Sequence, residues 1–248
     1  MGNTDKRGGA LGSIVSLIAT IALAITLVAA GLAVCCLPQT TGALSGAFSG
    51  IDNPDTPFSR DELVRAAVST RDYTVGTNDR AAIMGVITAI NRDANTPYGD
   101  EATLASAPEE FTLNGEALSH LDDVHTVVST ATIALGIITL VALLSCIFLG
   151  LKRGKRRVGS VLLWSGISVI AVFAALAAWV LIDFDGFFAA FHSLFFASGT
   201  WTFSYTSLLI TMYPTAFWMG MGAVWLATTG LLSILAIVVG ALLRRRSA

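Results

Sequence analysis

Four stretches of this chain are long and apolar enough to cross a lipid bilayer, and they decide what it can fold into. Crossing the hydrocarbon core takes about 20 apolar residues in a helix. The predicted spans are residues 11–37, 124–151, 158–182 and 214–243, and none of them contains Lys, Arg, Asp or Glu. Since only 13% of all residues are charged and these lie outside the spans, we predict an all-α membrane protein built as a bundle of four transmembrane helices.

Basic residues at the span ends set the predicted orientation, because short loops rich in Lys and Arg stay in the cytoplasm. Lys6 and Arg7 lie in the N-terminal segment 1–10, five basic residues fill the turn 152–157, and three arginines stand in the C-terminal segment 244–248. We therefore expect both termini in the cytoplasm. The first span exceeds the roughly 7–15 apolar residues of a signal peptide, so we expect an uncleaved anchor.

The segments expected on the outer side are residues 38–123 and 183–213. The first carries five arginines against fourteen Asp and Glu, a net charge of −9. This acidity does not suit a nucleic-acid partner, whose phosphates call for Lys and Arg. Its apolar positions are few, so we expect this domain to pack on the membrane surface or on segment 183–213.

Local signals predict that the acidic domain is small and mainly helical. Ser59 and Glu62 have the spacing of a capping box at a helix start. Asn78 or Asp79 can cap a second helix. A third helix is expected to begin near Asn114 and to run without a break into the second span.

Segment 183–213 is unusually aromatic and holds one histidine. An interfacial belt of aromatic residues explains part of this composition. We expect a short helix in the plane of the outer interface, capped by Asp183 or Asp185 and ended by Gly199. Nine aromatic residues crowd between positions 184 and 205: Phe184, Phe187, Phe188, Phe191, Phe195, Phe196, Trp201, Phe203 and Tyr205.

The three histidines supply the candidate chemistry, and all fall on the predicted outer side. His120 precedes the second span and His192 lies in the aromatic segment, so both are expected at one depth. Glu116 and Asp123 share a helix face with His120, and the Asp123 carboxylate could hold that imidazole in one tautomer. His125 is expected to point elsewhere.

Several function classes find no support in the sequence. The spans lack the ionisable groups that ion pathways use. The chain has no G-x-S-x-G, H-E-x-x-H, P-loop or G-x-G-x-x-G motif, and no convincing Ser or Cys nucleophile on the outer side. An acyl-group enzyme of this kind would take its nucleophile from the substrate, with a histidine as general base.

Two motifs resemble those of the lipoprotein intramolecular transacylases, a family of four-span bacterial membrane proteins. The first motif is H-L-D-D-V at residues 120–124. The second is F-H-S-L-F-F at residues 191–196, followed by G-T-W-T-F at residues 199–203. The layout of the spans is also similar to that of the family.

The resemblance implies a reaction at the outer leaflet in which the sn-2 acyl chain of a diacylglyceryl lipoprotein moves to the α-amino group of its N-terminal Cys. It implies His120 and His192 as the catalytic pair, which we extend to Asp123. The implied partners are a diacylated lipoprotein and membrane lipid, and the reaction needs neither a cofactor nor a metal. We expect the aromatic residues of the second motif to bind the substrate: Phe191, Phe195, Phe196, Trp201 and Phe203.

Two alternatives from other classes remain open at this point. In the first, the chain is a non-catalytic membrane protein whose acidic outer domain binds a partner protein. In the second, it is a metal-dependent lipid hydrolase in which His120, Asp123 and His192 ligate a catalytic zinc with one open position.

Overall fold

A computed structural model describes the backbone of residues 2–245 and the side chains of residues 12–245. The side chains of Lys6 and Arg7, and the residue Arg246, which enter the orientation argument, lie outside this part. Every regular secondary-structure element of the described residues is a helix. The helices are α1 Gly2–Cys35, α2 Pro38–Phe48, α3 Arg60–Asp72, α4 Arg80–Asp93, α5 Glu101–Leu104, α6 Gly115–Arg153, α7 Lys155–Ile182, α8 Phe184–Ser193, α9 Leu208–Met212 and α10 Thr215–Arg245.

Four of these helices, α1, α6, α7 and α10, are long and apolar enough to cross a membrane. They cover the four predicted spans except for Cys36, Leu37 and Pro214, so the all-α, four-span prediction is confirmed. The chain forms two compact units. The first unit comprises residues up to Val34, Ala131–Phe184 and the chain from Trp225 onward, and the second comprises Cys35–Thr130 and Asp185–Val224.

The first unit is held together by close backbone contacts between α7 and α10. A Cβ atom at Gly159 would lie 2.7 Å from the carbonyl oxygen of Gly240, and one at Gly166 would lie 2.5 Å from that of Ser233. Membrane helices lack a hydrophobic drive to associate, so small residues that let backbones approach are a main source of packing energy. Large apolar side chains such as Ile137 face outward, as lipid contact requires.

The second unit has a core shared by the acidic domain and the chain from Leu208 to Phe217, which includes the end of segment 183–213. Leu63, Ile87 and Leu121 pack in one buried cluster with Leu208 and Phe217. Within this unit the domain therefore packs on segment 183–213, which is one of the two alternatives predicted for it. Backbone hydrogen bonds join the same parts.

Hydrogen bonds join the acidic domain to residues 208–212. The amide of Leu208 donates to the carbonyl of Glu109 over 2.8 Å, and the amide of Gly50 donates to that of Thr211 over 2.9 Å. The hydroxyl of Ser49 donates to the carbonyl of Met212 over 2.7 Å. These bonds satisfy backbone groups in the connections, so the loops are fixed parts of the unit.

The caps predicted for α3, α4 and α6 are present, whereas α8 ends at Ser193 and not at the predicted Gly199. Ser59 and Glu62 form a capping box at the start of α3, and the Asp79 carboxylate accepts from the amide of Ala82 at the start of α4. Asn114 caps α6 through the amide of Ala117. These caps satisfy amides that have no intrahelical partner.

Between α3 and α4 the chain makes a π-helical turn over Tyr73–Thr77. It ends at Asn78, which adopts the left-handed conformation with φ of 53°. The turn presents Tyr73 and Thr74 toward the first turns of α6, where both make hydrogen bonds. This contact matters because α6 carries His120.

Candidate active site

The second unit brings His120 and His192 together. His120 lies in the second turn of α6, and His192 lies at the end of α8. Their ring centroids are 6.4 Å apart with an interplanar angle of 28°. Two imidazoles separated by 72 positions in the sequence thus face one another at close range.

Aromatic side chains surround the pair on several sides; we call the two histidines with these rings the aromatic cluster. Around His120, the ring of Phe196 lies 4.9 Å away and that of Phe203 lies 5.6 Å away, both measured between centroids. Around His192, the rings of Phe188, Trp201 and Phe191 lie at 4.0, 4.8 and 5.7 Å. The rings lower the local dielectric beside the pair, which strengthens electrostatic interactions there.

A single hydrogen bond fixes the tautomer of His192. Its Nδ1 lies 2.8 Å from the carbonyl oxygen of Phe188, one helical turn earlier in α8. A carbonyl only accepts, so Nδ1 carries the hydrogen and Nε2 of the neutral ring keeps a lone pair. Burial lowers the pKa of His192 from its ordinary value, against an opposing contribution from the bond to Phe188. The neutral, proton-accepting form is therefore favoured.

His120 is more deeply placed, with only 9% of its surface exposed. Its Nδ1 is buried and has no hydrogen-bond partner among the described residues. Asp123 and Glu116 are both exposed. The expected hydrogen bond from Asp123 to His120 is not present in the structure, because the Asp123 side chain points to solvent and acts on the imidazole only through space.

Asp122, the residue before Asp123, accepts hydrogen bonds from three side chains. The hydroxyl of Tyr73 donates to the Asp122 carboxylate. The side-chain amide of Asn78 donates to it over 3.2 Å, and the guanidinium of Arg80 over 2.9 Å. These three donors come from the π-helical turn and the start of α4. They tie that segment to α6 two residues after His120.

His125 points away from the aromatic cluster, as its spacing predicted. Its Nδ1 lies 3.1 Å from the carbonyl oxygen of Thr74, and no described ring of the cluster contacts it. His125 therefore belongs to the attachment of the π-helical turn to α6.

A three-ligand zinc site was one of the alternatives left open by the sequence. In the described part of the chain, no three or more His, Cys, Asp and Glu side chains lie close enough together to hold a metal ion. His120, Asp123 and His192 therefore do not form the three-ligand zinc site that the hydrolase alternative requires.

The predicted aromatic residues are largely at the site, with one exception and one omission. Phe195 contacts Phe191 and Phe196 but neither histidine among the described ring contacts. Phe188 was not predicted as a site residue, although it gives His192 both its nearest ring and its hydrogen-bond acceptor. The i, i+4 spacing of Phe188 and His192 on a predicted helix was a signal that could have found it.

Fold and site together define a multi-pass helical membrane protein with a histidine pair set among aromatic rings. A profile of the family described as lipoprotein intramolecular transacylase Lit matches residues 69–218. The match covers more than half of the chain and includes both histidines, so this chain belongs to the Lit family of lipoprotein intramolecular transacylases.

Solved structures of one Lit protein share this fold. The in meso structure of the membrane-integral Lit from Bacillus cereus aligns with a TM-score of 0.71 and 19% identity over 96% of this chain and 98% of that chain. Two structures of the same protein, with one histidine replaced by arginine or by alanine, align with TM-scores of 0.67 and 0.66, each at 19% identity and over 98% or more of both chains. None of the curated proteins compared with this chain matches it.

Proposed function

We propose that this protein moves the sn-2 acyl chain of a diacylglyceryl lipoprotein to the α-amino group of the lipoprotein's N-terminal Cys. The product is an N-acylated lyso-form lipoprotein. The observation that carries the proposal is the close pairing of His120 and His192 inside aromatic walls. Membership of a transacylase family supports the reaction class.

The proposed reaction is an ester aminolysis within one substrate molecule. The amine nitrogen attacks the ester carbonyl carbon, and Nε2 of His192 accepts the proton that the amine loses. A tetrahedral intermediate forms, and the bond from carbon to the sn-2 oxygen then breaks. The imidazolium of His192 returns the proton to that oxygen, which leaves a glyceryl hydroxyl and a new amide.

His120 and the aromatic rings have separate roles in this proposal. His120 faces the same reacting groups, and its ring supplies a polar contact to them. Phe191, Phe196 and Phe203 hold the acyl and glyceryl groups in a compact arrangement. Holding amine and ester together can replace a large part of the barrier, since well-oriented intramolecular reactions reach effective molarities of about 10⁵ M or more.

We also propose the setting of the reaction. Both termini lie in the cytoplasm of a bacterial cell, and residues 38–123 and 183–213 lie on the outer side of its cytoplasmic membrane. The substrate is then a diacylated lipoprotein, and the lipid of the outer leaflet surrounds the site. The basic turn between the second and third spans supports this orientation.

The direct test is co-expression with a model lipoprotein in a host that lacks N-acylation. Mass spectrometry of the N-terminal lipopeptide should show a lyso-form lipoprotein, with one acyl chain on nitrogen and one on glycerol. A lipopeptide that keeps its free amine and both ester-linked chains would contradict the proposal. It would favour the non-catalytic alternative.

Variants assign the chemistry. His120→Ala and His192→Ala should each abolish N-acylation at unchanged expression. His125→Ala is the matched control, because that ring lies on α6 but contacts Thr74. Equal loss of activity in His125→Ala and His120→Ala, with all proteins folded, would remove the histidine pair from the mechanism. Activity that survives metal chelation separates this reaction from a metal-dependent hydrolysis.

A further inference from the structure

Two polar atoms of the aromatic cluster are buried without a hydrogen-bond partner among the described residues. They are Nδ1 of His120 and the indole Nε1 of Trp201. The other such atoms in the described part are hydroxyl oxygens of α2 and α10, on Ser45, Thr229 and Ser233. A buried N–H without an acceptor costs folding free energy, so it calls for an explanation.

Trp201 is placed against the histidine pair. Its ring lies 4.8 Å from that of His192 at an interplanar angle of 30°, and 6.3 Å from that of Phe188. Gly199, with φ of +87°, turns the chain just before it, a conformation that residues with a Cβ rarely adopt. The turn thus places the indole of Trp201 against His192, at the end of α8.

An indole nitrogen can only donate. The neighbouring ring of Phe188 offers neither a donor nor an acceptor of ordinary strength. His192 already uses Nδ1 for the Phe188 carbonyl, and its Nε2 accepts the amine proton in the proposed reaction. The N–H of Trp201 therefore has no other acceptor among the described residues. It remains available to donate to the reacting groups.

We infer that Trp201 is a further catalytic residue, whose indole N–H donates a hydrogen bond to the ester carbonyl oxygen of the substrate. The inference rests on the proposed function. As the amine nitrogen bonds to the carbonyl carbon, an electron pair moves onto that oxygen, and the N–H stabilises the negative charge. When the bond to the sn-2 oxygen breaks, the pair returns and the carbonyl re-forms, so Trp201 itself is unchanged.

A neutral donor suits this position. It is held in place before the reaction by its ring contacts, so no reorganisation is needed when the charge develops. It leaves no charge in the site when the substrate is absent. The surrounding rings lower the local dielectric and strengthen the bond to an oxyanion.

The test removes the indole N–H of Trp201 in the purified protein. A synthetic dipalmitoylglyceryl-cysteine lipopeptide is the substrate. Trp201 is exchanged for β-(3-benzothienyl)alanine, which keeps the shape of the indole but has sulfur in place of N–H. Trp201→Phe is the second variant. Trp164, an exposed residue of α7, receives the same sulfur analogue as the control.

We expect the sulfur analogue at position 201 to lower kcat by about 10²-fold. KM should stay within about two-fold of the parent, because the donor acts on charge that develops only in the transition state. The melting temperature should not change. The control at position 164 should transfer acyl chains at the parent rate.

Two outcomes overturn the inference and can be told apart from failure of the proposed function. If the sulfur analogue at position 201 keeps the parent kcat while Trp201→Phe loses activity, Trp201 acts through packing alone. If both variants raise KM and leave kcat unchanged, Trp201 binds substrate without acting on the oxyanion. If the parent protein forms no N-acylated product, the proposed function itself fails.

Discussion

The hydroxyl of Tyr73 donates a hydrogen bond to the carboxylate of Asp122, two residues beyond His120 in α6. Tyr73 is only 3% exposed, so this bond is made at the edge of the core. Burial raises the pKa of Tyr73, and the acceptor role of Asp122 raises it further, which keeps the phenol protonated as a donor. The π-helical turn is thereby anchored to the helix that carries a proposed catalytic residue.

Tyr73→Phe should destabilise the protein, although it keeps the aromatic ring in the core. It removes one hydrogen bond to a charged group, a loss of about 1.5–3 kcal/mol. Arg80→Gln is the matched control, because Arg80 contacts the same carboxylate through a solvent-exposed pair that contributes about 1 kcal/mol or less. Thermal unfolding in detergent, followed by tryptophan fluorescence, should rank Tyr73→Phe clearly below Arg80→Gln. The reverse order would contradict the anchoring role.

The structure changes what we expect from the neighbouring carboxylates Asp122 and Asp123. From sequence, Asp123 is the residue predicted to orient His120. In the structure Asp123 is exposed and Asp122 accepts three side-chain hydrogen bonds. We expect Asp123→Asn to transfer acyl chains within about five-fold of the parent, since an exposed charge acts weakly through water.

The same experiment includes Asp122→Asn, which should lower the melting temperature and, through a displaced α6, the rate. Rates of N-acylation and melting temperatures are measured for both variants. A loss of about 10²-fold in Asp123→Asn at unchanged stability would restore Asp123 as the orienting residue, as in a catalytic triad.

Local signals in the sequence predicted much of this fold. The span lengths and charges predicted α1, α6, α7 and α10, and the capping box at Ser59 predicted the start of α3. Helix α2 was missed, because its Gly and Thr residues are weak helix formers and its contacts with α3 stabilise it. Pro38 at its first turn was the available signal.

The site was predictable only in part, for a physical reason. A shared depth in the membrane suggested that His120 and His192 could meet, and the aromatic residues near His192 were evident from composition. Hydrogen bonds between segments carry no local signal. The contact of Tyr73 with Asp122, and the lack of one between Asp123 and His120, depend on how a π-helical turn packs against α6.

Gly240→Leu should strongly destabilise the first unit. A Cβ at Gly240 would lie 2.6 Å from the carbonyl oxygen of Gly159, so the backbones of α7 and α10 would have to separate. Overpacking of this kind costs about 1–3 kcal/mol. Gly230→Leu is the control on the same helix, since nothing lies within 4 Å of a Cβ there. Melting temperatures in detergent that fall equally for both variants would contradict glycine-mediated packing.

The proposed orientation can be measured by cysteine labelling. In a background without Cys35, Cys36 and Cys146, single cysteines are placed in the two outer segments and in the turn between α6 and α7. Ala105→Cys and Ala197→Cys should react with a membrane-impermeant maleimide on intact cells. Lys155→Cys should react only after the cells are permeabilised, because the proposed orientation places its turn in the cytoplasm.

Labelling of Lys155→Cys on intact cells would reverse the orientation. The histidine pair would then face the cytoplasm, where no exported lipoprotein could reach it. This outcome would therefore contradict the proposed substrate as well as the topology.

The last prediction concerns the protonation of His192. Its pKa is lowered by burial, and the nearest ring, that of Phe188, is 4.0 Å away between centroids. We expect a titration midpoint below the ordinary value of about 6.5. Above this midpoint the ring is neutral and can accept a proton, so the transfer rate should be lost as the pH falls through it.

The measurement is an NMR titration of the protein labelled with ¹³C at the histidine Cε1 atoms, with His120→Gln and His125→Gln to assign the signals. Phe188→Ala tests the cause, because removing that ring admits water to the imidazole while the backbone carbonyl of residue 188 remains as acceptor. Its midpoint should rise toward about 6.5. A midpoint for the parent at or above that value, or no change in Phe188→Ala, would show that burial does not hold His192 in the neutral form and would remove the physical basis for assigning it as the base.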